Sequence, residues 1–250
     1  TSRGWQQHFN NLKAVIDDLI ANHNGDPQRV YVCGFSMGGD GTVRILQQYP
    51  GFFAAAIPMG MGFSGDSTLL KDIPIWTAQG ETDWWARNLR KNVADIRHLN
   101  GYDADTGSTW VTGVNPRYSN FKGVGHGVQW DAAYTLPLTT WAYSKVNDGN
   151  KYPQVFFASP GYRQIAIAGN EVPIDIRATD ADGSLAKVEI FHNNKLYRTI
   201  TQPPYATTIK TVAGDNMIDA VVHDDKGKSA VATTIVKVNM APEFVTAKLS

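Results

Sequence analysis

Val30-Tyr31-Val32-Cys33-Gly34-Phe35-Ser36-Met37-Gly38-Gly39 sets a serine between two glycines directly after a β-branched run. The pattern Gly34-x-Ser36-x-Gly38 suits a sharp turn from a strand into a helix, where a Cβ at either glycine would clash and the serine hydroxyl is thrown outward. Gly39 to Tyr49 can form that helix, so its free N–H groups and positive end face any negative charge developing at the hydroxyl. A plain glycine-rich turn is the alternative reading of the pentapeptide. Val30, Tyr31, Val32 and Cys33 supply the strand that the chemical reading needs.

Outward from this turn, strands and helices alternate. Upstream, Phe9, Leu12, Val15, Ile16, Leu19 and Ile20 recur at helical spacing, and Asn24-Gly25-Asp26-Pro27 ends that helix. Downstream, Phe52 to Pro58 and Ile73 to Ala78 have the composition of buried strands. The first runs into a loop at Met59 to Phe63 and a short excursion at Ser64 to Lys71. The second runs into Gln79-Gly80-Glu81-Thr82-Asp83, followed by helical spacing from Trp84 to Leu99. Tyr118 to Val124 predicts a further strand ending at Gly125-His126-Gly127, and Trp130 to Val146 one closing helix. Repeated β–α units imply a parallel sheet covered by helices.

At Val146-Asn147-Asp148-Gly149-Asn150 the texture changes. Beyond it, short alternating runs at 172–178, 188–191, 206–209, 217–222 and 230–238 are punctuated by turn residues. They predict seven or so strands in a small antiparallel sandwich. The expected organisation is an α/β portion over residues 1–149, an all-β sandwich over 150–240 and a tail or linker over 241–250.

Composition narrows the classes of partner. A chain of 250 residues, 42% of them hydrophobic, has room for one large core or two modest ones. Its 23 basic and 23 acidic residues cancel, and no block of like charge argues for nucleic acid or an anionic membrane. No apolar run is long enough to cross a bilayer, and neither a signal nor a membrane anchor is expected within this stretch. The one cysteine, Cys33, cannot form an internal disulfide and is expected to be a small buried hydrophobe in its strand.

A serine hydroxyl is a weak nucleophile until a base takes its proton, and the base works best when a carboxylate fixes its tautomer and stabilises its cation. His126, between two glycines at a predicted strand end, has an exposed setting. His8, His23 and His98 fall in or at the ends of helical stretches, and His192 and His223 fall in the sandwich. Asp83 follows the preceding strand and completes the order serine, acid, histidine at successive strand ends. Glu81 is a rival in the same loop, and either carboxylate could instead cap the helix beginning at Trp84. Trp84 and Trp85 follow Asp83, and Trp130 lies one helical turn beyond His126, so their rings could line a substrate cleft. Trp84 and Trp85 cannot both face the core of one helix, and Trp130 could equally pack helix to sheet.

The motifs Gly34-Phe35-Ser36-Met37-Gly38-Gly39, Gln79-Gly80-Glu81-Thr82-Asp83 and Gly123-Val124-Gly125-His126-Gly127-Val128-Gln129-Trp130 resemble the nucleophile, acid and histidine motifs of the α/β-hydrolase superfamily. Within it they look most like the phospholipase/carboxylesterase-like and polyhydroxybutyrate-depolymerase- or feruloyl-type esterases. The resemblance covers residues 5–146 and implies the C-terminal part of an α/β-hydrolase doubly wound sheet. It implies Ser36 as nucleophile, Asp83 as orienting acid, His126 as base and the Met37 N–H as one oxyanion donor, with no metal or organic cofactor required. In that superfamily the first sheet strands, and the loop giving a second oxyanion donor, precede the helix found here at Phe9–Ile20. The resemblance therefore implies a separate N-terminal chain or fragment that pairs with this one and completes the domain.

Residues 153–239 resemble a bacterial immunoglobulin-like module, carried by Ala178 to Phe191, Pro204-Tyr205 and Val222 to Gly227. Such modules accompany extracellular hydrolases, so the resemblance implies a secreted or cell-surface protein. Asp180-Ala181-Asp182-Gly183 invites a calcium reading, but an EF-hand loop starting there would need glycine at Leu185 and glutamate at Phe191, which favours a turn of the sandwich. The sequence expectation is a serine esterase. A serine peptidase of the same fold and an inactive extracellular binding or adhesion protein are the alternatives.

Overall fold

The computed structural model describes residues 7–102 and 111–239. The expected tail at 241–250 lies outside them. Among the described residues the first part holds four parallel strands in the order β1-β2-β3-β4: β1 (Tyr31–Phe35), β2 (Ala55–Met59), β3 (Trp76–Gly80) and β4 (Arg117–Phe121). Every residue of β3 is buried, as expected of an inner strand covered on both faces.

Helices cover both faces. On one lie α1 (Phe9–Asn22), α2 (Met37–Gln48) and α3 (Ala86–Leu99). There Phe9, Val43, Leu46, Leu89, Val93 and Ile96 pack with Ala56, Ile75 and Tyr118. On the other face α4 (Val128–Thr135) and α5 (Leu138–Tyr143) bring Val128, Ala132 and Leu138 against Trp76 and Ala78. The single closing helix expected from Trp130 to Val146 is thus two. Pro137 causes the break: Leu136 before it is extended, at φ −106° and ψ 141°, a conformation that a following proline enforces and that ends a helix.

Two further expectations are corrected at the edge of the sheet. Cys33 is exposed, because β1 is an edge strand paired among the described residues with β2 alone. α1 has the expected periodicity, yet Leu12, Val15 and Leu19 stand 41%, 58% and 48% exposed, and only Phe9 is buried.

The second part is a sandwich of eight strands. They are β5 (Gln154–Ser159), β6 (Gln164–Ile167), β7 (Glu171–Thr179), β8 (Leu185–His192), β9 (Lys195–Ile200), β10 (Tyr205–Lys210), β11 (Gly214–Asp224) and β12 (Ser229–Asn239). One sheet runs β10-β7-β5 and the other β6-β12-β11-β8-β9. Pairing is antiparallel except between β6 and β12, which run parallel. The period-two pattern places Val172, Ile174 and Ile176 of β7 against Ile218, Ala220 and Val222 of β11 in one dry core. β9 is almost wholly exposed, so no apolar alternation announces it.

The two parts meet closely. Val155 N donates to Gly113 O at 2.9 Å, and Asn115 N donates to Gln154 Oε1 at 2.7 Å. A Cβ at Gly113 would stand 2.4 Å from Val155 O, so only glycine permits this approach.

Candidate active site

Ser36 sits at the turn from β1 into α2 with φ 55° and ψ −117°, a backbone region that L side chains rarely occupy. Its N–H is anchored by Met59 O at 2.9 Å, and the helix that it caps begins at Met37. The crowding differs from the sequence expectation. A Cβ at Gly34 would lie 2.2 Å from Gly38 O, whereas at Gly38 it would meet nothing within 4 Å. The second tight glycine is Gly39, where a Cβ would lie 2.7 Å from Met59 O as α2 crosses the end of β2.

Two loops bring the other groups to the same end of the sheet. After β3, Glu81 N donates to Phe121 O, and both Thr82 N and Thr82 Oγ1 donate to Val124 O. These bonds clamp the acid-bearing loop to the histidine-bearing loop, which pass so closely at Gly80 that a Cβ would stand 2.1 Å from Gly125 O. Within the clamp, His126 Nδ1 lies 2.7 Å from Asp83 Oδ2, and His126 Nε2 lies 2.8 Å from Ser36 Oγ. The Asp83 side chain is completely buried, and its second oxygen accepts the Trp85 N–H at 3.0 Å. Asp83 is therefore satisfied on both oxygens and held in one orientation. Glu81 faces away and accepts the Gly123 N–H at 2.9 Å, which makes it a staple of the loop after β4.

Two aromatic rings contact the imidazole. Trp84 stacks on His126 with ring centroids 4.4 Å apart and 21° between planes, and Phe35 lies 5.0 Å away at 47°. Sequence reasoning did not single out Phe35. Its place directly before Ser36 in a strand is the signal that could have found it. Trp85 turns the other way and joins Ser36, Met37, Met61, Phe63 and Asn88 around a cavity of about 470 Å³. The salt bridge from Arg44 Nε to Asp40 Oδ2, at 2.7 Å, closes part of its wall. Trp130 is 64% exposed and lies 6.5 Å from Tyr134, so it does not pack helix to sheet. It does not line the Ser36 cavity either.

This geometry can pass a proton from the Ser36 hydroxyl to the imidazole while a buried carboxylate balances the charge. Met37, first residue of α2, has an N–H without an intrahelical acceptor by position, at the positive end of the helix. Two of the other five histidines lie in the sandwich, where His192 contacts Asn216 Oδ1 and His223 contacts Glu189 Oε2. Among the described residues no group of three or more acidic, histidine or cysteine side chains is arranged to hold a metal ion. In the Asp180–Gly183 turn, Asp182 pairs with Lys226 at 3.4 Å.

Two family models match separate stretches of the chain. Residues 3–115 match the family model described as the prolyl oligopeptidase family, and residues 153–231 match that of a bacterial Ig domain. A poly(3-hydroxyalkanoate) depolymerase C of Paucimonas lemoignei is 43% identical over 51 residues, 20% of this chain and 12% of that protein. A bifunctional acetylxylan esterase/xylanase of Neocallimastix patriciarum is 31% identical over 111 residues, 42% of this chain and 16% of that protein. The chain therefore spans well under a fifth of the length of either relative. Among solved structures, SOBER1 of Arabidopsis thaliana shares 21% identity at a TM-score of 0.41, over 57% of this chain and 64% of that one.

Proposed function

We propose that this chain, an α/β-hydrolase region joined to a bacterial immunoglobulin-like domain, is a secreted serine hydrolase of carboxylic esters. The observation that carries the reading is the unbroken line from Ser36 through His126 to buried Asp83, at 2.8 and 2.7 Å, beside an open cavity. In this reading His126 Nε2 takes the Ser36 proton as Oγ bonds to the ester carbonyl carbon. The resulting oxyanion accepts the Met37 N–H. Collapse breaks the carbon–oxygen bond, and His126 returns its proton to the departing alcohol, leaving an acyl group on Ser36. Water, deprotonated by the same imidazole, then releases the acid and restores the serine. Neither half-reaction calls on a metal or organic cofactor.

The cavity walls of Met37, Met61, Phe63 and Trp85 favour an apolar or ring-bearing acyl or alcohol group. Extracellular glycan-linked, aromatic or polyester substrates fit that surface, in keeping with the names of the two relatives, a poly(3-hydroxyalkanoate) depolymerase and an acetylxylan esterase/xylanase. Trp84 and Trp85 are proposed to contact substrate, and Trp130 to extend the cleft from its exposed position. The domain is proposed to be completed by a further N-terminal segment laid along the open edge of β1. Export is proposed because the second part matches a bacterial Ig domain; no helix among the described residues is long and apolar enough to cross a membrane.

Ester turnover and fluorophosphonate labelling test the reading together. Ser36→Ala is expected to abolish labelling and to lower kcat by about 10⁴-fold or more, with His126→Ala close behind. Asp83→Asn is expected to cost about 10⁴-fold, while Glu81→Gln leaves turnover within a few-fold. An intact, folded protein that resists labelling would favour the binding or adhesion reading. The prolyl oligopeptidase match favours a second enzyme reading, peptide hydrolysis by the same groups. Parallel panels of short-chain p-nitrophenyl esters and chromogenic peptides separate the two.

A further inference from the structure

We propose that the cleft between the α/β part and the sandwich is a binding site for a carboxylate-bearing ligand, held by Arg117 and Lys145. The cleft, about 420 Å³, is walled by Arg117, Lys145 and Trp141 on one side and by Ser229, Ala230 and Thr233 of β12 on the other. It lies away from Ser36: Arg117 opens β4 and His126 follows its far end, so roughly 15 Å of strand separates them.

The case rests on two cations without an anion. The Arg117 guanidinium carbon lies 3.6 Å from the centre of the Trp76 ring, and among the described residues its side-chain N–H groups meet no hydrogen-bond acceptor. Lys145 Nζ lies 4.3 Å from the Tyr152 ring centre and 5.8 Å from that of Trp141. Among the described residues neither cation has a carboxylate partner. Among the described residues the neighbouring charged groups are engaged elsewhere, and Asp219, beside the β12 wall, accepts the Thr233 hydroxyl at 2.6 Å. Lys228 is held by Asp148 at 2.6 Å and by the carbonyls of Val146 and Asn150, and Asp72 by Lys151 at 2.6 Å. Burial, with Arg117 and Lys228 beside it, pushes the Lys145 ammonium down to about 8, and burial alone also lowers Arg117. Two unneutralised, partly desolvated cations in one recess are a cost that a bound anion removes.

The ligand class follows from the donors. An in-plane guanidinium edge matches the two oxygens of a planar carboxylate, and an ammonium beside it adds a third charge-assisted bond. The Ser229 hydroxyl, Thr233 Oγ1 as an acceptor (its proton goes to Asp219 Oδ1) and the volume left over accommodate a hydroxylated body attached to that carboxylate. An acidic saccharide and a small hydroxy acid share this chemistry. Because one wall belongs to each part of the chain, an occupant would also tie the sandwich to the α/β part.

The test follows the unfolding midpoint and calorimetric binding of the 250-residue chain at pH 7 and constant ionic strength. The probes are glucuronate, 3-hydroxybutyrate, glucose and sulfate. Saturable binding of glucuronate or 3-hydroxybutyrate, weakened about tenfold or more in Lys145→Gln, is the expected result for loss of one charge-assisted partner. Tighter glucuronate binding identifies the acidic saccharide, and equal binding identifies the carboxylate of a small acid. Lys145→Gln removes a costly charge, so its unliganded midpoint should match or exceed that of the parent. Arg117→Gln, which also disturbs Trp76, serves as the second variant. Glucose binding as well as glucuronate, sulfate binding as well as either carboxylate, no binding of either carboxylate, or equal affinity in parent and Lys145→Gln would each overturn the proposal.

Discussion

Gly34 and Gly38, placed symmetrically about Ser36, carry unequal constraints. A Cβ at Gly34 would press into the Gly38 carbonyl and to 2.8 Å from Thr42 Oγ1, whereas at Gly38 it would point into open space. Gly38→Ala should therefore keep ester turnover within about twofold and leave the unfolding midpoint unchanged or raised, since alanine outranks glycine in a helix by about 1 kcal/mol. Gly34→Ala should destabilise by at least about 2 kcal/mol and lose turnover, because the elbow must open to admit the methyl group. Paired denaturation curves and ester assays check both. That Ser36, Asp83 and His126 would lie near one another was legible, because the ends of β1, β3 and β4 in a parallel sheet share one edge. Which glycine is tight was not legible. That depends on Thr42 one turn into α2 and on Met59 in the neighbouring strand, contacts that no local pattern encodes.

At the scale of elements, β1 has the composition of a buried strand and the position of an edge. Val30 and Val32 pack toward the core on one side, while Cys33 on the other is exposed. The open edge, with exposed Leu12, Val15 and Leu19 on neighbouring α1, is a surface that further strands would cover. In the 250-residue chain Cys33 is expected to react with a thiol reagent such as dithionitrobenzoate at close to the rate of a free small thiol. Adding a segment that pairs with β1 should slow that reaction by about tenfold or more. Slow labelling without any added segment would show the edge to be covered already. Sequence pattern found the period of most elements, though not of exposed β9, and did not find their neighbours. The strand content of Val30–Phe35 was readable from β-branched residues, whereas Cys33 exposure followed from sheet order. The break at Pro137 was readable in principle, since the residue before a proline resists the helical region.

For the molecule as a whole, zero net charge conceals an uneven distribution, because Arg117, Lys145 and Lys228 crowd one junction between the two parts. This cluster was invisible to composition, because its members come from β4, the stretch after α5 and the turn before β12 and meet only once both parts have folded. Its thermodynamic sign can be worked out from Lys145, whose folded value is lowered from 10.5 to about 8. Below pH 8 the lysine is charged in both states, and the folded state bears the cost of burying that charge. Between about 8 and 10.5 the folded protein has released the proton while the unfolded chain still holds it, so stability rises with pH across this window. Lys145→Met lacks the titrating group and should be the more stable protein below pH 8, by on the order of 2 kcal/mol. Its advantage should shrink steadily from pH 8 to 10.5. Urea denaturation of parent and variant at pH 7, 9 and 10.5 measures that difference at each point, so the titration of groups common to both proteins cancels. A constant difference would place the cost of Lys145 in packing alone. A difference that narrows would show that a buried, uncompensated charge is held at the junction of the two parts.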